Sequence, residues 1–253
     1  MIHFIGAGPG GADLITVRGA RLLGEADCII YAGSLVNPEL LNYKKPGCEI
    51  YDSASMTLEE VIAVMTENER AGRITARLHT GDPSLYGAIR EQMDELDRLG
   101  FEYDVTPGVS SFSGAAAALQ AEYTLPDVSQ SVIITRMAGR TPVPEGEALC
   151  KMASHGCTMV LFLSTGLLES VERELLAGGA YTEDTPAAIV YKATWPDERV
   201  LRCTVGTLAE TARKNGVKKT ALITIGGFLG DKYERSQLYH PDFTHEYREG
   251  RKS

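Results

Sequence analysis

Three short glycine-containing segments carry the residue types that could grip a small ligand. Gly6-Ala7-Gly8-Pro9-Gly10-Gly11 follows the apolar run at residues 2–5. Glycine lets a backbone approach a ligand closely and adopt positive φ, and the string is close to the GxGxxG dinucleotide fingerprint. Pro9, however, lacks an N–H and stiffens the loop where phosphate donors are wanted. The next apolar run ends in Tyr31-Ala32-Gly33-Ser34, with no acid placed to bind a ribose, and no Lys-Ser or Lys-Thr completes a Walker loop. The second segment is His79-Thr80-Gly81-Asp82-Pro83-Ser84-Leu85-Tyr86-Gly87. Its spacing predicts a helix opened by Pro83 and running to Leu99, with Asp82 at or beside the N-cap. The third is Thr106-Pro107-Gly108-Val109-Ser110-Ser111-Phe112. Taken alone, each could be a plain strand-to-helix turn. Together, at the carboxyl ends of three predicted strands, they mark the edge where open α/β sheets bind ligands, and Pro9, Asp82 and Ser111 are expected to line one hollow.

The elements that must position these turns follow from hydrophobic periodicity. Strands are expected at residues 2–5, 28–31, 74–78, 103–105, 132–135, 158–163, 187–191, 200–204 and 221–225. Helices are expected at 16–23, 57–71, 83–99, 114–120, 145–154, 167–177 and 208–214. Thr57 with Glu60 three residues on is a capping-box signature. This alternation predicts the α/β class: two α/β domains with mostly parallel or mixed sheets. The first domain is placed at 1–118 and the second at 119–253, with a polar tail from about 231.

Composition narrows the classes. The 253 residues are 43% hydrophobic and 23% charged, enough for a sizeable core. A net charge of −9 disfavours a general nucleic-acid binder; a polyanionic small molecule would need a local basic patch in a cleft. Cys28, Cys48, Cys150, Cys157 and Cys203 form no CxxC pair, which argues against a disulfide framework or a zinc site. No protein-bound metal is expected. Met1 leads straight into residues 2–5 without a basic leader, and no run approaches a membrane span. The expectation is a cytoplasmic protein with neither membrane nor nucleic-acid partners.

The strings IGAGPGGADLITVRG, HTGDPSLYG and TPGVSSFSGAAAAL, in this order, resemble the tetrapyrrole methylases, a family of S-adenosylmethionine (SAM) dependent methyltransferases. The resemblance covers almost the whole chain. It implies two α/β domains with an active-site cleft between them, SAM as co-substrate, and a homodimer. SAM carries no phosphate, which suits Pro9 and the missing lysine. YAGSLV at 31–36, TRMAGRTPVPE at 135–145 and YKATWPDE at 191–198 are similar to the branch that methylates ring carbon 11. For that branch the implied tetrapyrrole substrate is precorrin-4 or cobalt-precorrin-4.

The family motifs imply SAM contacts at Pro9, Gly81, Asp82, Leu85, Ser110, Ser111, Leu163, Tyr191, Ala193, Ala221 and Thr224. For Leu163, Ala221 and Thr224, core packing is the competing reading. The tetrapyrrole's acetate and propionate groups call for arginine, which pairs carboxylates bidentately. Arg136 and Arg140 are the first candidates. Lys192 and Trp195 come next, the indole as an apolar plate against the macrocycle. Tyr31 and His79 are the catalytic candidates; His79 could carry a proton or be a satisfied buried imidazole. Methyl transfer requires no covalent nucleophile, since alignment can supply much of the rate.

Other readings stay open at this point. Within the family they are methylation at another corrin position, uroporphyrinogen III methylation, diphthine synthesis and ribose 2′-O-methylation of RNA. Outside it, the first glycine turn alone suggests an NAD(P)-dependent dehydrogenase, and a non-catalytic corrinoid carrier is a third class.

Overall fold

The computed structural model describes residues 1–250. Two compact units divide them. The first holds residues 1–115 together with Lys192–Arg199, and the second holds the rest.

The first unit is built on β1 (Ile2–Gly6), α1 (Val17–Glu25), β2 (Cys28–Tyr31), β3 (Glu49–Asp52), α2 (Leu58–Arg70), β4 (Thr75–His79), α3 (Ile89–Leu99), β5 (Tyr103–Thr106) and the start of α4 (Ser111–Leu119). The strands form one sheet in the order β3-β2-β4-β1-β5, and every adjacent pair is parallel. A parallel sheet covered on both faces reads as continuous apolar runs, as β1 and β2 do. Ile2, Phe4, Cys28 and Ile30 pack with Val61, Ile62, Met65 and Leu96 on one face. Ile5, Ile29, Ala76 and Leu78 pack with Leu22, Leu23 and Leu40 on the other. Caps fix the helix starts. Thr16 Oγ1 accepts the Gly19 N–H at 3.0 Å to open α1. Thr57 and Glu60 close the capping box that opens α2.

Two expectations are corrected here. The helix placed at 83–99 begins only at Ile89, because Tyr86 (φ 58°) and Ala88 (φ 50°) take left-handed backbone that no α-helix can contain. Asp82 therefore caps a local turn, its Oδ1 accepting the Ser84 N–H at 2.8 Å, and not a helix. β3 was not expected. Its EIYD sequence is mostly exposed and shows no buried face, so pairing with β2 is what makes it a strand.

The second unit contains β6 (Val132–Arg136), α5 (Leu149–Ala153), β7 (Thr158–Phe162), α6 (Leu168–Ala177), β8 (Pro186–Tyr191), β9 (Arg199–Thr204), α7 (Leu208–Lys214) and β10 (Ala221–Ile225). Its sheet runs β6-β7-β10-β8-β9. β6 is parallel to β7, whereas β10 is antiparallel to both of its neighbours. The sheet is therefore mixed. Met159, Leu161, Ile189, Ile223 and Ile225 face α6 and α7 through Val171, Leu175 and Leu208. Among the described residues no helix is long and apolar enough to cross a membrane.

Candidate active site

The parallel sheet puts the carboxyl ends of β4, β1 and β5 side by side, and the three glycine turns leave from those ends. The contact between them is backbone to backbone. Gly8 N–H donates to Gly81 O at 3.2 Å and Gly81 N–H donates to Gly8 O at 2.9 Å, while Ala7 N–H donates to His79 O at 2.7 Å. The third turn closes on the first two. A Cβ on Gly6 would overlap the Gly108 backbone and lie 2.7 Å from Gly81 O. The Pro9 ring packs on Gly114 in α4, where a Cβ would stand 2.7 Å from Pro9 Cβ.

Asp82 ties this cluster together. Its Oδ2 accepts the Gly108 N–H at 2.8 Å, and its Oδ1 accepts both the N–H and the hydroxyl of Ser84. Burial by itself would raise the Asp82 carboxyl, but the hydrogen bonds from Ser84 and Gly108 outweigh it and hold the carboxyl below its ordinary value. Leu85 closes the turn by donating its N–H to Asp82 O at 3.2 Å. Ser110 is buried, and its carbonyl accepts from Ser113 and Gly114 as α4 begins; Ser111 is the first residue of that helix.

This wiring counts against the dinucleotide reading. A diphosphate at such a turn needs free backbone N–H groups. Here the Ala7 and Gly8 donors are spent on the β4 turn, the Gly11 donor goes to Thr194 Oγ1 at 2.9 Å, and Pro9 has none. The three turns contain no lysine or arginine, and a carboxylate stands among them.

The catalytic candidates lie apart from one another in chemistry. His79 is 4% exposed and stacks on Phe4 with ring centroids 5.9 Å apart. Burial, with a smaller push from the Arg77 charge, drives its pKa down to about 3. The imidazole is therefore neutral at ordinary pH, and its Nε2 has no hydrogen-bond partner. Arg77 is itself buried, its Nε donating to Gln92 Oε1 at 3.0 Å and its Nη1 to Ile30 O at 3.3 Å. Tyr31 ends β2 next to Leu78 of β4, and its carbonyl accepts from Ser53 Oγ at 2.9 Å.

Residues expected in the second domain divide between the units. Lys192, Ala193 and Trp195 belong to the first. Ala193 is buried with its carbonyl against Gly10, and the Trp195 indole lies against Gly10 as well. Lys192 Nζ pairs with Asp197 at 2.7 Å. Sequence reasoning passed over two partners of this loop. One is Thr194. The other is Asn37, which is buried and donates from Nδ2 to Gly10 O at 2.8 Å. The signal for Asn37 was its position before Pro38, a turn-initiating pair; Thr194 carried none.

In the second unit, Leu163 follows β7 with φ 52° and 69% exposure, so it is not core. Tyr191 is in register with Ala221. Ala221 and Thr224 are three apart on one strand and so project from opposite faces. The Thr224 hydroxyl is fully buried without a partner, and Ala221 O accepts from Thr165 Oγ1 at 3.0 Å. Arg136 turns back on its own loop. Its guanidinium donates to the carbonyls of Met137, Thr141 and Pro142 at 3.4, 3.1 and 2.6 Å. Arg140 is exposed in that loop.

Ser164, two residues past the end of β7, anchors the same loop: buried, it accepts the Met137 N–H at 2.8 Å and donates to Phe162 O at 2.7 Å. Ser164→Ala leaves the Met137 N–H unpaired and is expected to cost about 1 kcal/mol, read as a lower urea midpoint at unchanged slope. An unchanged midpoint would remove Ser164 from this role.

Among the described residues no group of three or more His, Cys, Asp or Glu side chains could hold a metal ion. Fold and site together define an α/β protein that gathers three glycine turns, without lysine or arginine, at the carboxyl edge of one parallel sheet. The chain belongs to the tetrapyrrole (corrin/porphyrin) methylases, whose family model matches residues 1–209. It is 53% identical to the cobalt-precorrin-4 C(11)-methyltransferase of Methanocaldococcus jannaschii, over 99% of this chain and 97% of that one. The X-ray structure of a cobalamin biosynthetic enzyme, cobalt precorrin-4 methyltransferase, superposes with a TM-score of 0.88 at 50% identity, covering 91% of this chain and 96% of that one. Uroporphyrin-III C-methyltransferase of Thermus thermophilus, solved with S-adenosylhomocysteine, gives a TM-score of 0.75 at 26% identity over 90% of this chain and 98% of that one.

Proposed function

We propose that this protein transfers the methyl group of SAM to carbon 11 of cobalt-precorrin-4 or precorrin-4 in cobalamin biosynthesis, releasing S-adenosylhomocysteine. The observation that carries the reading is the knot of three glycine turns in which the Ala7, Gly8, Gly11, Gly81 and Gly108 N–H groups are taken within the protein, Pro9 has none, and no lysine or arginine stands among them. That leaves a close-fitting backbone surface for a nucleoside without a phosphate cradle. The full-length identity to an enzyme of that name supports the ring position.

SAM brings its own activation, a methyl group on a sulfonium. The ring carbon is nucleophilic because the pyrrole-derived nitrogens push electron density onto it. The chain's task is to hold carbon, methyl and sulfur in line and to exclude water, since the sulfonium charge disappears as the methyl moves. Pro9, Gly81, Asp82, Leu85, Ser110, Ser111 and Ala193 are proposed as the SAM surface of the first unit. Leu163, Tyr191, Ala221 and Thr224 are proposed from the second. Arg140 is proposed for a substrate carboxylate, because the Arg136 guanidinium is occupied by its own loop. No proton transfer is assigned to His79, which is too weak a base at neutral pH. The family resemblance supports a homodimer in the cytoplasm, and sedimentation of the purified protein tests the dimer.

The decisive experiment is mass spectrometry of the product formed from SAM with cobalt-precorrin-4 and, separately, with precorrin-4. A gain of one methyl, located at carbon 11 by NMR, is the expected result. Methylation at another carbon, or binding of NADH but not of S-adenosylhomocysteine, would overturn the reading.

A further inference from the structure

Residues 192–198 lie in sequence between β8 and β9, yet with Arg199, the first residue of β9, they group with the first unit. Two of them, Lys192 (φ 47°) and Thr194 (φ 68°), hold left-handed backbone without being glycine. Such strain persists only where the surroundings over-determine it, and it gathers at functional sites. The surroundings here are specific. Thr194 N–H donates to the Glu198 carboxylate at 2.5 Å, and Lys192 pairs with Asp197 while lying 5.3 Å from the Trp195 ring centroid. What the braced segment presents is Thr194 Oγ1, which takes the Gly11 N–H at 2.9 Å, and the indole of Trp195. The indole lies so close to Gly10 that any Cβ there would overlap it. From the opposite side of the same peptide, Asn37 holds Gly10 O. The peptide that follows Pro9 is thus gripped at its carbonyl, at its Cα and at the next N–H.

We propose that Thr194 and Trp195 are positioning residues that seat Gly10-Gly11 and so set the affinity for SAM, with the Trp195 indole serving the SAM side of the site and not the macrocycle. The inference rests on the reading that this glycine turn faces SAM. A strained segment is a costly way to supply one hydroxyl and one ring, and the grip explains the cost. It removes the freedom of a glycine pair, which would otherwise be lost each time a ligand binds.

The test is calorimetry with S-adenosylhomocysteine on the full-length protein and on Thr194→Val, Thr194→Ser and Trp195→Ala, with steady-state kinetics on the same set. Valine keeps the shape of threonine and removes the acceptor. Thr194→Val should weaken binding about fivefold, and Thr194→Ser should stay within about twofold of the wild type. Trp195→Ala, which removes the other contact through different atoms, should weaken binding at least about fivefold. The KM for SAM should rise in step while the KM for the tetrapyrrole holds within about twofold. Wild-type affinity in both Thr194→Val and Trp195→Ala would overturn the proposal, as would a loss confined to the tetrapyrrole KM. Failure of the wild-type protein to bind S-adenosylhomocysteine would instead overturn the proposed function.

Discussion

Replacing Gly108 by alanine should abolish tight binding of S-adenosylhomocysteine and lower the melting temperature, though it adds only one methyl group. The Cβ would overlap the Gly81 carbonyl oxygen and stand 2.7 Å from Gly6 Cα. Both obstacles are backbone. They belong to β1 and to the turn after β4, which are locked in register and by the paired Gly8–Gly81 hydrogen bonds. No side chain can swing aside, so the third turn must move away from the first two. Overpacking of this kind sits at the upper end of its usual range, about 3 kcal/mol, or roughly 6–12 °C in Tm. If the displaced turn is part of the ligand surface, the same energy appears as about a hundredfold loss of affinity. Gly146→Ala is the control, because a Cβ there meets nothing within 4 Å. Wild-type affinity and Tm in Gly108→Ala would mean that the three turns do not share one surface.

Asp82→Asn should be the next most damaging change, by a different route. The carboxylate accepts from Gly108 on one oxygen and from Ser84 on the other. An asparagine has one oxygen, and its NH2 cannot accept, so one N–H loses its partner whichever way the amide turns. Hydrogen bonds to a charged acceptor contribute about 1.5–3 kcal/mol net, and partial exposure places these near the lower figure, or about tenfold in affinity. The pH dependence follows from the depressed carboxyl. A group whose folded pKa lies below its unfolded value contributes stability that is complete above the unfolded value, 3.8 for Asp82, and is lost as pH falls through the folded one. Urea unfolding should therefore separate wild type from Asp82→Asn near neutral pH, and the gap should close below about pH 4. A gap that stayed constant with pH would show that the carboxylate charge contributes nothing.

The elements that carry the candidate site were largely legible before the fold was known. β1 and β2 announce themselves because a strand covered on both faces reads as a mostly apolar run, and a glycine turn stands where β1 ends at the sheet's carboxyl edge. Pro9 and the missing lysine already spoke against phosphate. The turn at residues 83–88 was not legible. Pro83 suits a first helical turn, and nothing local says that Tyr86 and Ala88 will be left-handed. The neighbours of Arg136 and Trp195 were not legible, because a cation and an indole declare their chemistry and not what they touch. Arg136 spends its donors on its own loop, and Trp195 spends its ring on Gly10.

The sequence by itself determined the class of fold and the three turns. These depend on local rules: apolar period, the freedom of glycine and the missing N–H of proline. Only the tertiary structure decided that Gly6, Gly81 and Gly108 meet, that β10 runs antiparallel to its neighbours, and that residues 192–199 serve the first unit. Each of these pairs groups far apart in the chain. Contact between such groups is set by how the sheets close and pack, and no window of sequence contains that information.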